Sequence, residues 1–406
     1  MNHGHAPVRD VPAATTPHPL LRVRDGSEAK VSYAELFFDL VYVFAVTQVS
    51  HFLLGHLTVL GAAQALLLWF AVWLGWQYTC WMTNWFDPET RPIRVMLFAL
   101  MGVGLLFAAA LPEAFGERGL LFAGCYAVMQ VGRALFLRLQ LGAHPLGPNF
   151  SRILAWAILC AVFWIAGGLA EPGWRLLLWG LAVACEYISP MFGFPVPGLG
   201  RSDSAREWTI EGGHLVERCA LFVIVALGES ILITGATLAH APAWDAAEMI
   251  AFATAFVGSL AMWWLYFNIA VRDATEVIVQ ADDPGRYGAL FHYLHVAIVG
   301  SVIVTAVGND LMIAHPHGHM TLAFVLVMLA GPGLFLAGNG LYKRAVYGRF
   351  PLSHLIGLAL LLPLACLAQS LGLLWLNALT TVVLIVTASL ETAARGGAPD
   401  KRVSTH

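Results

Sequence analysis

The sequence predicts an all-α, polytopic membrane protein, and two observations carry that prediction. Of the 406 residues, 59% are apolar and 12% charged, where soluble domains carry roughly a quarter charged residues. Apolar runs near the roughly 20 residues that cross the hydrocarbon core recur along the whole chain. The net charge of −3 says less than where the charges lie.

The elements follow in order. Residues 1–30 are rich in Pro, His and Arg and lack the apolar core of a signal peptide, so a disordered tail is expected there. Twelve spans come next. The first six fall at about 33–54, 60–84, 92–112, 118–141, 151–170 and 173–193, within a unit at 31–195. A polar linker, 196–211, holds Arg201 and Arg206. The later six fall at about 212–238, 246–271, 288–314, 320–342, 352–371 and 373–392, within a unit at 212–393. A short tail, 394–406, closes the chain. All six cysteines sit in apolar runs without CxxC spacing and read as buried thiols.

Basic residues test the span count. Arg9, Arg22, Arg24 and Lys30 precede the first span, and Arg91, Arg94, Arg138, Arg152, Arg201, Arg206, Arg272, Arg286, Lys343, Arg344 and Arg349 fall on the same side. So do Arg395, Lys401 and Arg402, while the opposite loops hold Arg118 and Arg175. The positive-inside rule then puts both termini in the cytoplasm. An odd count would scramble this asymmetry.

The chain also reads as a duplication. Glu35 and Glu217 open equivalent helices, and Asn84 and Asn268 close the next pair. LPE ending at Glu113 parallels GND ending at Asp310; GRALFL at 132–137 parallels GPGLFL at 331–336; Ser151 parallels Ser353. The offset grows steadily, as a longer loop in the second copy requires. Six spans per copy is an even number, so two parallel six-helix repeats are expected.

Three blocks carry a family resemblance: ELFFDLVYVFAVTQVSH from Glu35, ERCALFVIVALGESIL from Glu217, and HYLHVAIVGSVIVTAVGND from His292. They resemble the bacterial low temperature requirement A (LtrA) family across about residues 30–392. The resemblance implies a multi-pass inner-membrane protein of a family named for growth in the cold, and brings no reaction or substrate with it. A duplicated six-span chain with FFD at Asp39 also resembles lysosomal potassium channels of the TMEM type. It departs from them in lacking the Ser and the upstream Arg of their RxxxFSD motif.

Charged groups inside apolar runs mark pathways, relays or buried pairs. Glu35 and Asp39 lie one turn apart on one face of the first helix. Glu35 is expected at the interface, complementing the helix dipole, and Asp39 one turn deeper. Arg218 on the seventh span cannot reach Glu229, since eleven helical residues rise about 16 Å. Asp39 is therefore its expected partner, in an ion pair joining the halves, with Glu217 beside it. Glu229 has no basic residue near it in sequence; an uncharged carboxyl there is a candidate proton or cation site, and a neutral Glu bonded to a neighbouring helix is the plainer alternative. Asp310 lies on the same side and could share its proton or cation.

Arg133 and Glu186 are expected to pair within the first repeat. His292 and His295 read either as a relay or as core histidines bonded to neighbours. Gly331, Pro332 and Gly333 predict a kink or break in the tenth span. His315, His317 and His319 form an outer loop that is a weak candidate for metal, or an exposed turn. Trp69, Trp73, Trp76, Trp81 and Trp85 read as packing and interfacial anchors.

No phosphate-cradling loop, nucleophile elbow, HExxH motif or basic nucleic-acid face is present, so no cofactor and no nucleic acid is expected. The lipid bilayer and a proton or cation are the expected partners. A secondary transporter or ion-coupled permease is the leading expectation. The alternatives are a membrane-embedded enzyme on a lipophilic substrate and a structural or regulatory membrane protein. A transporter needs its acids and histidines between the halves, whereas an enzyme needs them converging on one lipid-accessible cavity.

Overall fold

The computed structural model describes residues 18–24, 29–203, 207, 210–240, 244–268 and 270–396. Among them the regular elements are helices, with two isolated β-bridges and no strand. The first half holds α1 (Tyr33–Gly55), α2 (Val59–Trp85), α3 (Arg91–Ala110, continued by a 3-10 turn at Leu111–Glu113), α4 (Gly119–Leu141), α5 (Gly147–Leu169) and α6 (Pro172–Met191). The second holds α7 (Gly212–His240), α8 (Ala246–Phe267), α9 (Ala270–Gln280), α10 (Pro284–Ala314), α11 (Leu322–Tyr347) and α12 (Leu352–Gly396).

Local chemistry sets the starts. Ser32 and Glu35 form a capping box on α1, as Asp245 and Glu248 do on α8, while Thr58 and Thr321 cap α2 and α11. Proline occupies the first turn of α3, α5, α6 and α10, where no amide is missed.

Among the described residues, ten helices are long and apolar enough to cross a membrane. The 20-residue α6 is not one of those ten. The 45 residues of α12 would run about 68 Å if straight, more than twice the ~30 Å hydrocarbon core. They form two arms that meet at Gly372, whose φ of 74° and ψ of 166° break the helix. The expected break at Gly331, Pro332 and Gly333 is absent: α11 runs helical through all three. Gly331 serves close packing instead, since a Cβ there would stand 2.4 Å from Thr305 Oγ1 on α10.

Three further expectations are corrected. Residues 18–24 lie ordered along the end of α2, where Leu21 bridges Phe86 and Arg22 N donates to Trp85 O at 2.9 Å; residues 1–17 and 25–28 of the expected disordered tail lie outside the described residues. A short helix, α9, fills part of the expected loop after α8 and buries Ala274 and Ile278. Lys343, expected in a loop, is fully buried because α11 continues to a left-handed cap at Gly348, with φ 73°.

The halves meet around α2 and α10. These have 61% and 67% of their apolar windows buried, against 28% for α5, so they are central and α5 is peripheral. Helix α10 packs on α1, α2, α7, α8, α11 and α12. Trp69 of α2 donates to Val296 O of α10 at 3.0 Å, and α1 packs directly on α7.

Candidate functional site

At the end of the bundle where α1 and α7 begin, four charged side chains close on one another. The capping box turns Glu35 back toward the start of its own helix, so Ser32 N and Oγ donate to Oε2 at 2.9 and 3.0 Å. Its Oε1 accepts from Arg218 Nη1 and bonds His214 Nε2, both at 2.8 Å. Arg22 adds a bond to Oε2 at 3.1 Å. One turn along, Asp39 Oδ1 accepts from Arg218 Nη2 at 2.6 Å and from Trp76 Nε1 at 2.7 Å. Arg218 thus spans two carboxylates, its guanidinium 5.7 Å from the Trp76 ring centroid. Two carboxylates and two guanidiniums balance, which is what lets charges lie this deep.

Glu35, in the first turn of α1, is fully buried by its neighbours. Capping accounts for one carboxylate oxygen only; Arg22, Arg218 and His214 enclose the rest. Glu217, expected beside this pair, is exposed and accepts the Val31 amide at 3.4 Å.

A cavity of about 790 Å³ lies on the far side of α2, between α2, α4 and α6 of the first half and α10 of the second. Tyr78, Trp81, Met82 and Phe150 give it an apolar and aromatic body. Arg201, Asp203, Asp283 and Arg286 stand at its polar end, while Arg133 and Glu186, each about 95% buried, line its interior.

The expected ion pair between Arg133 and Glu186 does not form. Arg133 donates to Thr79 Oγ1 at 3.1 Å and to Gln130 Oε1, and Glu186 Oε2 accepts from Tyr126 Oη at 2.7 Å. Gln130 Nε2 donates to Tyr126 Oη at 3.0 Å and completes the chain between them. Two polar side chains on α4 thus occupy the space a direct pair would need.

The remaining candidates do not converge. Glu229 is buried, makes no hydrogen bond or ion pair among the described residues, and does not line the cavity. Asp310 accepts from Thr237, two turns beyond Glu229 on α7 and about 12 Å farther along its axis, so the two carboxyls share no site. His292 and His295 are both buried but face different ways. His292 Nδ1 bonds Gly288 O at 3.1 Å, and its ring packs among Trp73, Trp76 and Trp81. His295 Nδ1 bonds Phe291 O at 2.6 Å and Nε2 bonds Tyr266 Oη at 2.7 Å, beside the Tyr342 ring. His315, His317 and His319 are exposed, and no three His, Cys, Asp or Glu among the described residues group as metal ligands.

Two contacts escape sequence reading. Lys343 on α11 bonds both oxygens of Glu391 on α12, at 2.8 and 2.7 Å, in a second buried ion pair. A basic residue just beyond an apolar window is the faint signal for it. Arg22 gives no signal at all, because its segment reads as tail.

The chain matches the bacterial low temperature requirement A protein (LtrA) family over residues 30–389. It is also 40% identical, over 378 residues and 92% of each chain, to a protein of Rhizobium meliloti (strain 1021) described as uncharacterized. No solved structure matches it.

Proposed function

This chain belongs to the bacterial low temperature requirement A family, and from that premise we propose that it is a secondary transporter or ion-coupled permease of the cytoplasmic membrane. The observation that carries the reading is the cavity of about 790 Å³ between the halves, with the ionisable Arg133 and Glu186 inside it. Cavities at a repeat interface, lined by charges away from lipid, are where transporters hold solute and coupling ion.

Twelve crossings follow if α6 spans and the two arms of α12 each span. Packing supports two six-span repeats. In both halves the first helix packs on the third, the third on the fourth, the fourth on the fifth and the second on the sixth. In the second half Gly357 approaches Leu336 of α11 from the fifth position, and Thr381 approaches Gly258 of α8 from the sixth. The clustering of basic residues at one end favours cytoplasmic termini.

The test is flux through the purified chain in liposomes, with a trapped pH dye and with sodium and potassium gradients. Wild type should pass protons or one cation. Ala289→Trp, which fills the cavity from α10, should stop that flux without lowering the thermal midpoint. Flat wild-type fluxes across all gradients overturn the reading.

One observation favours an enzyme on a lipophilic molecule instead. A groove of about 580 Å³ between α3 and α4 is lined by Val95, Met96, Leu100, Val128 and Phe136 and reaches Arg133 from the lipid side. Conversion of an added lipid extract by the detergent-purified chain, with flat fluxes, would select it.

A further inference from the structure

Five acidic side chains are buried among the described residues: Glu35, Asp39, Glu186, Glu229 and Glu391. Three are held by ion pairs, Glu35 and Asp39 to Arg218 and Glu391 to Lys343. Glu229 lines no wall of the cavity. Glu186 alone of the five both lines the cavity and lacks a cationic partner. We propose that Glu186 is a proton-binding site, exchanging its proton with the cavity through a chamber that holds one water.

The chamber lies behind Glu186 and has a volume of about 20 Å³. A single water needs roughly 10–15 Å³ of such space and two to four polar partners. Those partners are present: Gln130, Arg133, Glu186 and Ser189 all line it. Ser189 is 2% exposed, sits three residues after Glu186 on the same face of α6, and its Oγ has no hydrogen-bond partner. A buried hydroxyl without a partner is destabilising, and a water between it and the carboxyl removes that cost.

The hydrogen bonds around Glu186 suit both protonation states. When ionised, it accepts from the neutral Tyr126 hydroxyl, which stays in place because Gln130 donates to it. When protonated, the other carboxyl oxygen carries the O–H bond and donates it to the chamber water. The proton comes from a water-borne hydronium in the cavity and returns to water there, so nothing else is oxidised or reduced. Arg133, held by Gln130 and Thr79, supplies positive charge nearby without locking the carboxyl in a salt bridge. The other titratable groups facing Glu186 are Tyr78 from α2, Tyr126 from α4, Cys160 from α5, Cys185 and Tyr187 on α6 and Tyr293 from α10. Arg133 is the cation of this set and therefore tunes the site.

This inference takes its purpose from the transporter reading but not its chemistry, and infrared difference spectroscopy of the detergent-purified full chain tests it directly. Acidification should raise a protonated-carboxyl stretching band that is lost in Glu186→Gln and kept in Glu229→Gln. Arg133→Met should move its titration to higher pH by at least tenfold in proton concentration, and Ser189→Ala should shift the band's frequency. If Glu186→Gln does not fold, the Arg133→Met and Ser189→Ala shifts decide alone. A band that survives in Glu186→Gln, or is insensitive to Arg133→Met, overturns the proposal. A band lost in Glu186→Gln from a chain that passes no ions keeps the proton site and removes the transporter reading. A band that survives in Glu186→Gln from a chain whose flux is also unchanged does the reverse.

Discussion

Arg218 on α7 and Asp39 on α1 meet at 2.6 Å across 179 residues of chain, both withdrawn from solvent. Their bond fastens the first helix of one half to the first helix of the other. The same guanidinium takes Glu35 at 2.8 Å. Removing it leaves two carboxylates buried with Arg22 as their remaining cation. Arg218→Met should therefore lower stability by about 3–5 kcal/mol. Arg218→Lys should rescue little, since an ammonium cannot fork across both acids. Thermal midpoints in detergent check both, and a Lys variant equal to wild type would show that the fork is unimportant.

Gly372 joins the arms of α12 at φ 74° and ψ 166°, a region open to glycine almost alone. Gly372→Ala should cost about 1–3 kcal/mol. The control is Gly348→Ala, also at positive φ but in the left-handed region that other residues enter more cheaply. Thermal unfolding should rank Gly372→Ala as the more damaging.

Much of the helical layout was legible because length and hydropathy encode spans directly, down to the turn near Gly372. The link from Arg218 to Asp39 was legible for a different reason: a buried guanidinium with no acid in reach along its own helix must find one elsewhere. The enclosure of Glu35 was not, because Arg22 comes from a segment whose composition reads as disorder. Arg133 and Glu186 carried a misleading signal, since opposite charges at matching depth suggest a pair while spacing cannot show Gln130 and Tyr126 between them. The cavity has no motif at all, being walled by residues from α2, α4, α5, α6 and α10.

Lys343 and Glu391 form the second buried pair. Lys343→Met alone and Glu391→Leu alone should each cost about 3–5 kcal/mol by stranding the partner, and the double variant should recover most of it. A double-mutant cycle on unfolding free energy measures the coupling; simple additivity would mean that the pair is not formed.

Gly331 and Gly333 lie two residues apart in α11 and should respond differently. A Cβ on Gly331 would press on Thr305 Oγ1 at 2.4 Å and on its backbone N at 2.9 Å, whereas one on Gly333 would meet Leu361 Cδ1 at an ordinary 3.6 Å. Gly331→Ala should cost about 1–3 kcal/mol through overpacking, and Gly333→Ala should be tolerated. Equal thermal midpoints would overturn this account of the GPG segment.

Helix α2 contains no charged side chain, yet it bonds charged side chains of both the cavity and the ion cluster. Trp76 bonds Asp39, Thr83 bonds Arg218 through its hydroxyl and Arg22 through its carbonyl, and Thr79 bonds Arg133. The consequence concerns how this family can drift. Exchanges such as Thr79→Val, Thr83→Val and Trp76→Phe keep the span's hydropathy and would pass any topology profile unnoticed. Each would still remove a bond to the ionic clasp or to Arg133, so hydropathy alone does not describe what this bland-looking helix must keep.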